Sequence, residues 1–443
     1  MNSALENLKE RGFISQCTDI DGLSRLMDEK PVTFYVGCDP TGKSLHIGHI
    51  VPFFAFRHLV MAGHRGVALI GGGTARIGDP SGKSEMRKML DYSELDENAA
   101  AIRGQLSRFL GGGDSVCFEN NKEWLAGLNY IDFLRDIGRH FSVNRMLSFE
   151  AYKMRMETGL SFIEFNYQLL QSYDFWQLYK RHGCRLQIGG DDQWGNIVAG
   201  MELIRRLEAA ETCAAPAGNG YGPDATGGHA ASSHSNDDEA PAFGLTFPLV
   251  TTSDGKKMGK TEKGALFLDP AITSPYEFFQ YWRNVRDDDV LRFLLLFTFL
   301  PAADCRALCA AGANPNAAKE RLAYEITGLI HGKAEAEKAL SGAKAAFGGG
   351  GDAAAMPARS LPLGRFEAGY AAVDLFTDCA LCATKSEARR LIEQGGAFAG
   401  ADASSLIQVK DVHTSFTAAV LSPQKTLVLR AGKKRYCLVT ADS

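Results

Sequence analysis

The sequence predicts an α/β fold: a doubly wound parallel-sheet domain, then an α-helical domain, then a small α+β domain. Three observations carry this. Short β-branched and apolar runs alternate with longer amphipathic stretches over the first 210 residues, the pattern of strands joined by helical crossovers. From residue 274 to about 346 the apolar spacing is helical only. Beyond a Gly- and Ala-rich break, helix and strand signals return near the C-terminus.

Taken in order, Val32-Thr-Phe-Tyr-Val36 is a strand that ends at a Gly-Cys-Asp-Pro turn. Ile50 to Met61 predicts a helix, and Val67-Ala-Leu-Ile70 a strand before a glycine-rich turn. Ile163 to Tyr179 predicts one long helix, and Arg185-Leu-Gln-Ile188 a strand that ends at Gly189-Gly190. Residues 211–242 contain almost no large apolar side chain, so they predict a mobile loop that cannot offset its ordering entropy by burial. Order returns at Phe243-Gly-Leu-Thr-Phe-Pro-Leu-Val250. Ser274-Pro275-Tyr276-Glu277 is a capping box with proline at the first helical position. The greasiest run, Phe293 to Ala303, contains Pro301 and predicts a buried helix, too short to span a bilayer. Gly348 to Gly351 and the Ala/Pro-rich stretch to Pro362 predict a linker. Thr384-Lys-Ser-Glu387 opens a further helix that stops at Gly395-Gly396, and Thr426 to Arg430 and Tyr436 to Val439 predict strands. The expected domains are thus 1–270, 271–346 and 365–443, with a linker at 347–364.

Composition narrows the function. At 443 residues, 45% hydrophobic and 23% charged, the chain has the mix of a globular protein with two or three domains. Its net charge of −4 excludes general affinity for nucleic acid, so an RNA contact must be local, and no DNA partner is expected. From Cys379 to Ala441, however, nine Lys/Arg stand against four Asp/Glu. The first ten residues have no signal-peptide core and no membrane segment is expected, so the expected compartment is the cytoplasm. The ten cysteines are scattered. Cys379/Cys382 and Cys305/Cys309 lack partner pairs and are expected to be core thiols rather than a metal site.

Two motifs compete for the first loop. Gly37-Cys-Asp-Pro-Thr-Gly42-Lys43-Ser44 matches a phosphate loop, the signature of a nucleotide triphosphatase. Yet the match runs into His46-Ile47-Gly48-His49, which a phosphate loop does not need. No later strand supplies the apolar run and Asp that would hold magnesium. A second loop, Lys256-Lys257-Met258-Gly259-Lys260-Thr261, also lies far downstream. His-Ile-Gly-His with Lys-Met-Gly-Lys-Thr resembles the paired signatures of class I aminoacyl-tRNA synthetases, written HIGH and KMSKS. The second departs at Gly259 and Thr261, but it keeps both lysines and a hydroxyl.

Adenylate formation explains these residue types. A carboxylate attacks the α-phosphate of ATP in line and needs no side-chain nucleophile. The protein must position two anions and stabilise charge growing on the phosphates. Imidazoles at a helix start sit where the macrodipole is positive. Gly48 leaves room for the nucleotide, and lysines on a mobile loop can close on the leaving pyrophosphate.

Further stretches resemble the bacterial-type tyrosyl-tRNA synthetases in particular: Tyr35-Val-Gly-Cys-Asp-Pro-Thr41, Ile77-Gly-Asp79-Pro-Ser-Gly-Lys83, Asn166-Tyr167-Gln-Leu-Leu-Gln171-Ser-Tyr-Asp174-Phe and Gln187-Ile-Gly-Gly-Asp-Asp192-Gln193-Trp-Gly-Asn196. The spacing of Tyr167, Gln171 and Asp174 also puts a polar row on one helical face. The resemblance implies a Rossmann-like catalytic domain with a helical dimerisation insertion (Trp124 to Phe162), an anticodon-side helical domain and an S-four-like RNA-binding domain. It implies that Tyr35 and Asp174 take the phenol of tyrosine, while Asp79, Tyr167 and Gln171 take its ammonium. Gln187, Asp192 and Gln193 are implied contacts to tyrosine, its carboxylate or the adenylate ribose. Gly37, Asp39, Thr41, His46, Gly48, His49 and Gly190 are assigned to the ATP side, and Lys257, Lys260 and Thr261 to the closing loop. Lys385, Arg389, Arg390, Lys433, Lys434 and Arg435 are the implied tRNA contacts.

A site that hydrogen-bonds a substrate hydroxyl rejects the analogue that lacks it, so no editing domain is expected. The implied partners are tyrosine, tRNA(Tyr), ATP with Mg2+, and a second copy of the chain, with no protein-bound metal. Three other readings stay open: a tryptophan-specific relative, a phosphate-loop ATPase, and an RNA-binding protein on a retired synthetase scaffold.

Overall fold

The computed structural model describes residues 1–81, 90–214, 240–253, 258, 260–261, 264–346, 356–403, 405–432 and 435–442. The fold divides into two compact units, Met1–Asp269 with Arg292–Cys305, and Pro270–Leu291 with Arg306–Ser443.

The first unit is built on a six-stranded sheet. Its strands are β1 (Gln16–Cys17), β2 (Thr33–Cys38), β3 (Arg65–Ile70), β4 (Val116–Asn120), β5 (Cys184–Gly190) and β6 (Phe243–Phe247). They lie in the order β1-β6-β5-β2-β3-β4, all parallel except β1. From β2 the chain winds outward through β3 to β4, then returns to the other side of β2 through β5 to β6. The switch point therefore falls between β2 and β5, where ligands bind in open α/β sheets. Tyr35 and Gln187 are register partners across that pair. The apolar strands are buried on both faces, as parallel strands under helical crossovers must be, and Phe34, Phe54, Phe56, Phe175 and Phe243 are fully buried. Each such ring contributes about 1.5–3 kcal/mol relative to exposure.

Several boundaries differ from the sequence expectation. The expected helix from Ile163 is two helices, Phe162–Phe165 and Tyr167–His182. A Ser161/Glu164 capping box opens the first, which lasts one turn, and at its end the Asn166 side chain donates to the Phe162 carbonyl. The helix Trp194–Ala214 runs into the segment expected as loop; the rest of that segment, apart from residues 240–242, lies outside the described residues. The run Phe293 to Ala303 is not one helix: Asp287–Phe297 ends before Pro301, and Ala302–Leu308 begins after it. Residues 292–305, expected in the helical domain, belong to the first unit. Phe54 contacts Phe297 and Phe299, and the Arg11 guanidinium donates to the carbonyls of Leu295, Thr298 and Leu300.

In the second unit, helices Pro275–Arg283, Pro315–His331 and Lys333–Ala346 pack together. The Ser274/Glu277 capping box forms as expected. Two short strands of the first unit, β7 (Lys260–Thr261) and β8 (Gly264–Ala265), make a small hairpin. The C-terminal strands are β9 (Ala358–Pro362), β10 (Tyr370–Ala371), β11 (Ala397–Gly400), β12 (Ile407–Gln408), β13 (Ser415–Phe416), β14 (Thr426–Ala431) and β15 (Arg435–Asp442). Five form one sheet in the order β12-β11-β14-β15-β9. Residues 358–362 are thus not linker: β9 pairs in parallel with β15 and closes that edge. Helix Lys385–Glu393 is capped by Thr384, whose hydroxyl accepts from the Glu387 N–H, and the Glu387 carboxylate accepts from Ala383. Its Ala388 and Ile392 pack with Leu427, Leu429 and Val439.

Among the described residues no helix is long and apolar enough to cross a membrane. Cys305, Cys379 and Cys382 are buried, and Cys309 is half-buried.

Candidate active site

The site lies at the C-terminal ends of β2, β3 and β5. Tyr35 is fully buried on β2 and its hydroxyl has no hydrogen-bond partner. A buried phenol without a partner costs free energy that a ligand can recover. Burial, then the charge of nearby Asp174, raises its pKa well above the ordinary phenol value. Gln187, beside it in register on β5, is also buried, and its carbonyl oxygen has no partner.

The helix Tyr167–His182 carries the predicted polar row, and contacts place all three residues toward the strand ends. Asp174 is buried and accepts from Trp124 Nε1 at 2.7 Å and Asn121 Nδ2 at 2.9 Å. Burial pushes its pKa up to about 8; the two donors oppose the rise and the Asp39 charge adds to it. Asn121 also donates to Thr74 Oγ1 at 2.9 Å, and that hydroxyl donates to Asp39 at 2.8 Å. The other Asp39 oxygen accepts from Tyr167 at 3.1 Å. One continuous chain of polar contacts therefore joins Trp124, Asp174, Asn121, Thr74, Asp39 and Tyr167.

A second network holds Gln171, Gln193 and Asp79. Gln171 donates to Gln193 at 3.2 Å, and Gln193 donates to Asp79 at 2.9 Å. Asn196 donates to Gln171 at 2.9 Å, while Asp79 accepts from the Ser81 N–H. Asp192, next to this network, has its pKa raised by burial and then by the Asp79 charge.

Of the residues expected on the nucleotide side, His46, Gly48 and His49 lie at the start of helix Ile47–Met61. His46 caps that helix: its Nδ1 accepts from the Gly48 N–H at 3.1 Å, and His49 Nδ1 lies 3.5 Å from the His46 N–H. The rings stack with centroids 3.6 Å apart. An imidazole whose Nδ1 accepts carries its proton on Nε2, so each neutral ring keeps Nε2–H as a donor. A Cβ on Gly48 would lie 3.0 Å from the His46 ring and 3.7 Å from the Met258 carbonyl. The two signature loops, whose Gly48 and Met258 are 210 residues apart in sequence, thus meet here. Ile47 donates to Leu266, Leu268 donates to Leu45, and His46 bridges to Phe267, which anchors the second loop's far side. Thr41 is exposed at the rim, its N–H donating to the Asp39 carbonyl, and Gly37 is exposed on β2. Gly190 ends β5, where a Cβ would lie 2.6 Å from Asp192. Lys257 lies outside the described residues, as do the side chains of Lys260 and Thr261.

The phosphate-loop reading does not survive. Lys43 is exposed and sits 3.9 Å from Glu97. The Ser44 hydroxyl is buried, bonded to the Leu45 carbonyl, Gln105 and the Asp269 N–H. The Ser44 hydroxyl is thus already committed, where a phosphate loop needs it for magnesium.

Sequence reasoning assigned no role to Asn121, Trp124, Thr74, Asn196 or Gly71. Asn196 lay inside a quoted motif, and Trp124 was only the edge of the insertion. Gly71 follows β3, where an added Cβ would stand 2.0 Å from Asp39 Oδ1. The glycine-rich turn was the visible signal for it.

Of the basic C-terminal residues, Lys385 pairs with Asp374 at 2.7 Å and Arg435 lies 3.5 Å from Glu387. Arg389 and Arg390 are exposed on the Lys385–Glu393 helix, and Lys433 and Lys434 lie outside the described residues.

Comparison with known proteins agrees with this geometry. The chain is 56% identical to "Tyrosine--tRNA ligase" of Treponema denticola over 98% of both chains, and 56% identical to that of Treponema pallidum over 100% of this chain and 99% of the relative. Among solved structures it resembles a C-terminally truncated mitochondrial tyrosyl-tRNA synthetase of Aspergillus nidulans (TM-score 0.66, 32% identity, 78% of this chain and 94% of that one). Residues 27–348 match the model of the class I tRNA synthetases (W and Y), and the chain belongs to that family.

Proposed function

We propose that the chain is a tyrosine–tRNA ligase that works in two steps. The tyrosine carboxylate attacks the α-phosphorus of ATP and releases pyrophosphate. The terminal ribose hydroxyl of tRNA(Tyr) then attacks the tyrosyl carbonyl and releases AMP. The observation that carries the choice of amino acid is the buried Tyr35 hydroxyl, without a partner, beside a buried Asp174 carboxylate. Together they offer one donor and one acceptor, which a phenol needs and an indole N–H does not.

In this reading Asp79, Tyr167 and Gln171 hold the ammonium, with Gln187, Asp192 and Gln193 on the carboxylate and ribose. The Nε2–H groups of His46 and His49 donate to phosphate oxygens as charge grows on them. Lys257, Lys260 and Thr261 close on pyrophosphate, which brings its magnesium with ATP. Arg389, Arg390 and their basic neighbours contact tRNA phosphates, and the enzyme acts in the cytoplasm. The insertion exposes Tyr130, Ile131, Val143, Met156 and Phe162 at 54–71%. So apolar a surface supports a second copy of the chain as its cover. Amino-acid-dependent exchange of pyrophosphate into ATP, tried with all twenty amino acids, tests the assignment. Exchange supported by tyrosine alone is expected, and exchange with tryptophan or with none would overturn it.

A further inference from the structure

A second chemically competent cluster lies away from the substrate residues. Cys117 and Glu119 alternate on β4, the edge strand of the sheet, so their side chains share one face. His182, the last residue of the helix Tyr167–His182, meets them: its Nε2 is 2.7 Å from Glu119 Oε1, and Cys117 Sγ is 4.0 Å from the same oxygen. The three candidate ligand atoms all lie within 4.8 Å of one another, and among the described residues no other trio of His, Cys, Asp or Glu does so. All three side chains are half-buried, open enough for an ion to enter.

We propose that Cys117, Glu119 and His182 form a three-ligand site for a borderline-soft divalent cation, with zinc the ion best suited to one sulfur, one nitrogen and one oxygen. Zinc binds Cys sulfur at about 2.3 Å and His or carboxylate at about 2.0–2.2 Å, so tetrahedral ligand atoms sit about 3.4–3.6 Å apart. The observed 2.7 and 4.0 Å bracket that spacing and the third pair lies within 4.8 Å, so side-chain shifts of about 1 Å would reach it. Water fills the fourth position on the exposed side. In the ligand-free protein, burial and then the Glu119 charge raise the thiol pKa, opposed by the backbone hydrogen bond at Phe118 and, less, by Arg103. Binding therefore releases the thiol proton to solvent, while Glu119 exchanges its histidine hydrogen bond for the metal and His182 coordinates as neutral imidazole. With three ligands and a Glu119–His182 hydrogen bond to open, the site is weaker than a closed four-ligand structural centre. It joins the edge strand that leads to Asn121 to the end of the helix that carries Asp174, about two turns away.

The test uses full-length, chelator-stripped protein and zinc alone. Equilibrium dialysis should give one zinc per chain, and cobalt in its place should show thiolate-to-metal charge-transfer absorption. Cys117→Ser should remove that absorption, and Cys117→Ser and His182→Gln should each weaken zinc binding by at least tenfold. Cys117→Ser leaves the Glu119–His182 hydrogen bond in place, so its metal-free melting temperature should match wild type even if His182→Gln lowers it. Either no zinc bound by the wild type at micromolar concentration, or equal binding by Cys117→Ser, overturns the proposal. The second result would assign the zinc to other thiols.

Discussion

Trp124→Phe isolates one hydrogen bond at the end of the candidate site proposed to hold the phenol. The indole N–H donates to Asp174 at 2.7 Å inside a buried cluster, and phenylalanine keeps most of the ring packing while deleting the donor. A hydrogen bond to a charged group contributes about 1.5–3 kcal/mol, which converts to roughly a 10- to 150-fold loss in kcat/KM for tyrosine activation. The variant has a second signature. Both donors lower the Asp174 pKa against the burial that raises it to about 8. An ionised Asp174 is the better acceptor for a phenol, so kcat/KM, which reports the free enzyme, should rise with pH through about 8 in the wild type. Removing the indole donor should move that limb upward. The carboxyl is then protonated over more of the pH range, so the ligand-free fold gains protons relative to the unfolded chain. Its stability accordingly declines as pH rises from the ordinary carboxylate range toward the raised value. The assay is pyrophosphate exchange at saturating ATP over a pH series, with Asp174→Asn as the control that should remove the limb and most of the activity. Tyrosine kcat/KM within twofold of wild type and an unmoved pH limb would refute the reasoning.

Gly71→Ala should lower tyrosine activation at least tenfold with little change in overall fold, because the new methyl displaces Asp39 from Thr74 and Tyr167; exchange kinetics and a circular dichroism spectrum check it. Arg155→Ala should destabilise the first unit by about 3–5 kcal/mol, since it leaves Glu164 buried without its 3.0 Å partner; urea unfolding measures this. Lys260→Ala should slow adenylate formation strongly while leaving tyrosine affinity nearly intact, as expected of a group that acts on charge developing in the transition state; pre-steady-state kinetics separate the two. Ending the chain near Ala346 should abolish tRNA charging yet spare adenylate formation. Full-length tRNA affinity should fall more steeply with salt than that of the truncated form.

Local chemistry explains how much of this molecule could be read before it was folded. The strands around Tyr35, Val67, Arg185 and Phe243 announced themselves because period and β-branching act over a few residues. The His46 and Lys257 loops did so because their motifs are contiguous. The row Tyr167, Gln171 and Asp174 followed from helical spacing alone, and contacts bear it out at each position. Local signals also misled. A helix pattern through Asn166 concealed a one-turn capping box, and the Ala/Pro-rich approach to Pro362 concealed an edge strand whose partner, β15, lies at the far end of the chain.

By itself, then, the sequence determined the fold class, the two signature loops and the polar row of Tyr167, Gln171 and Asp174 on one helical face, all encoded in short-range pattern. Only the tertiary structure decided what holds those residues in place. Asp174 takes its partners from residues 50 and 53 positions away, and Tyr167 reaches Asp39 across 128. A buried carboxylate must be hydrogen-bonded, but any of many Asn and Trp residues could satisfy it. Chain topology, by bringing the end of β4 against the helix Tyr167–His182, chose Asn121 and Trp124.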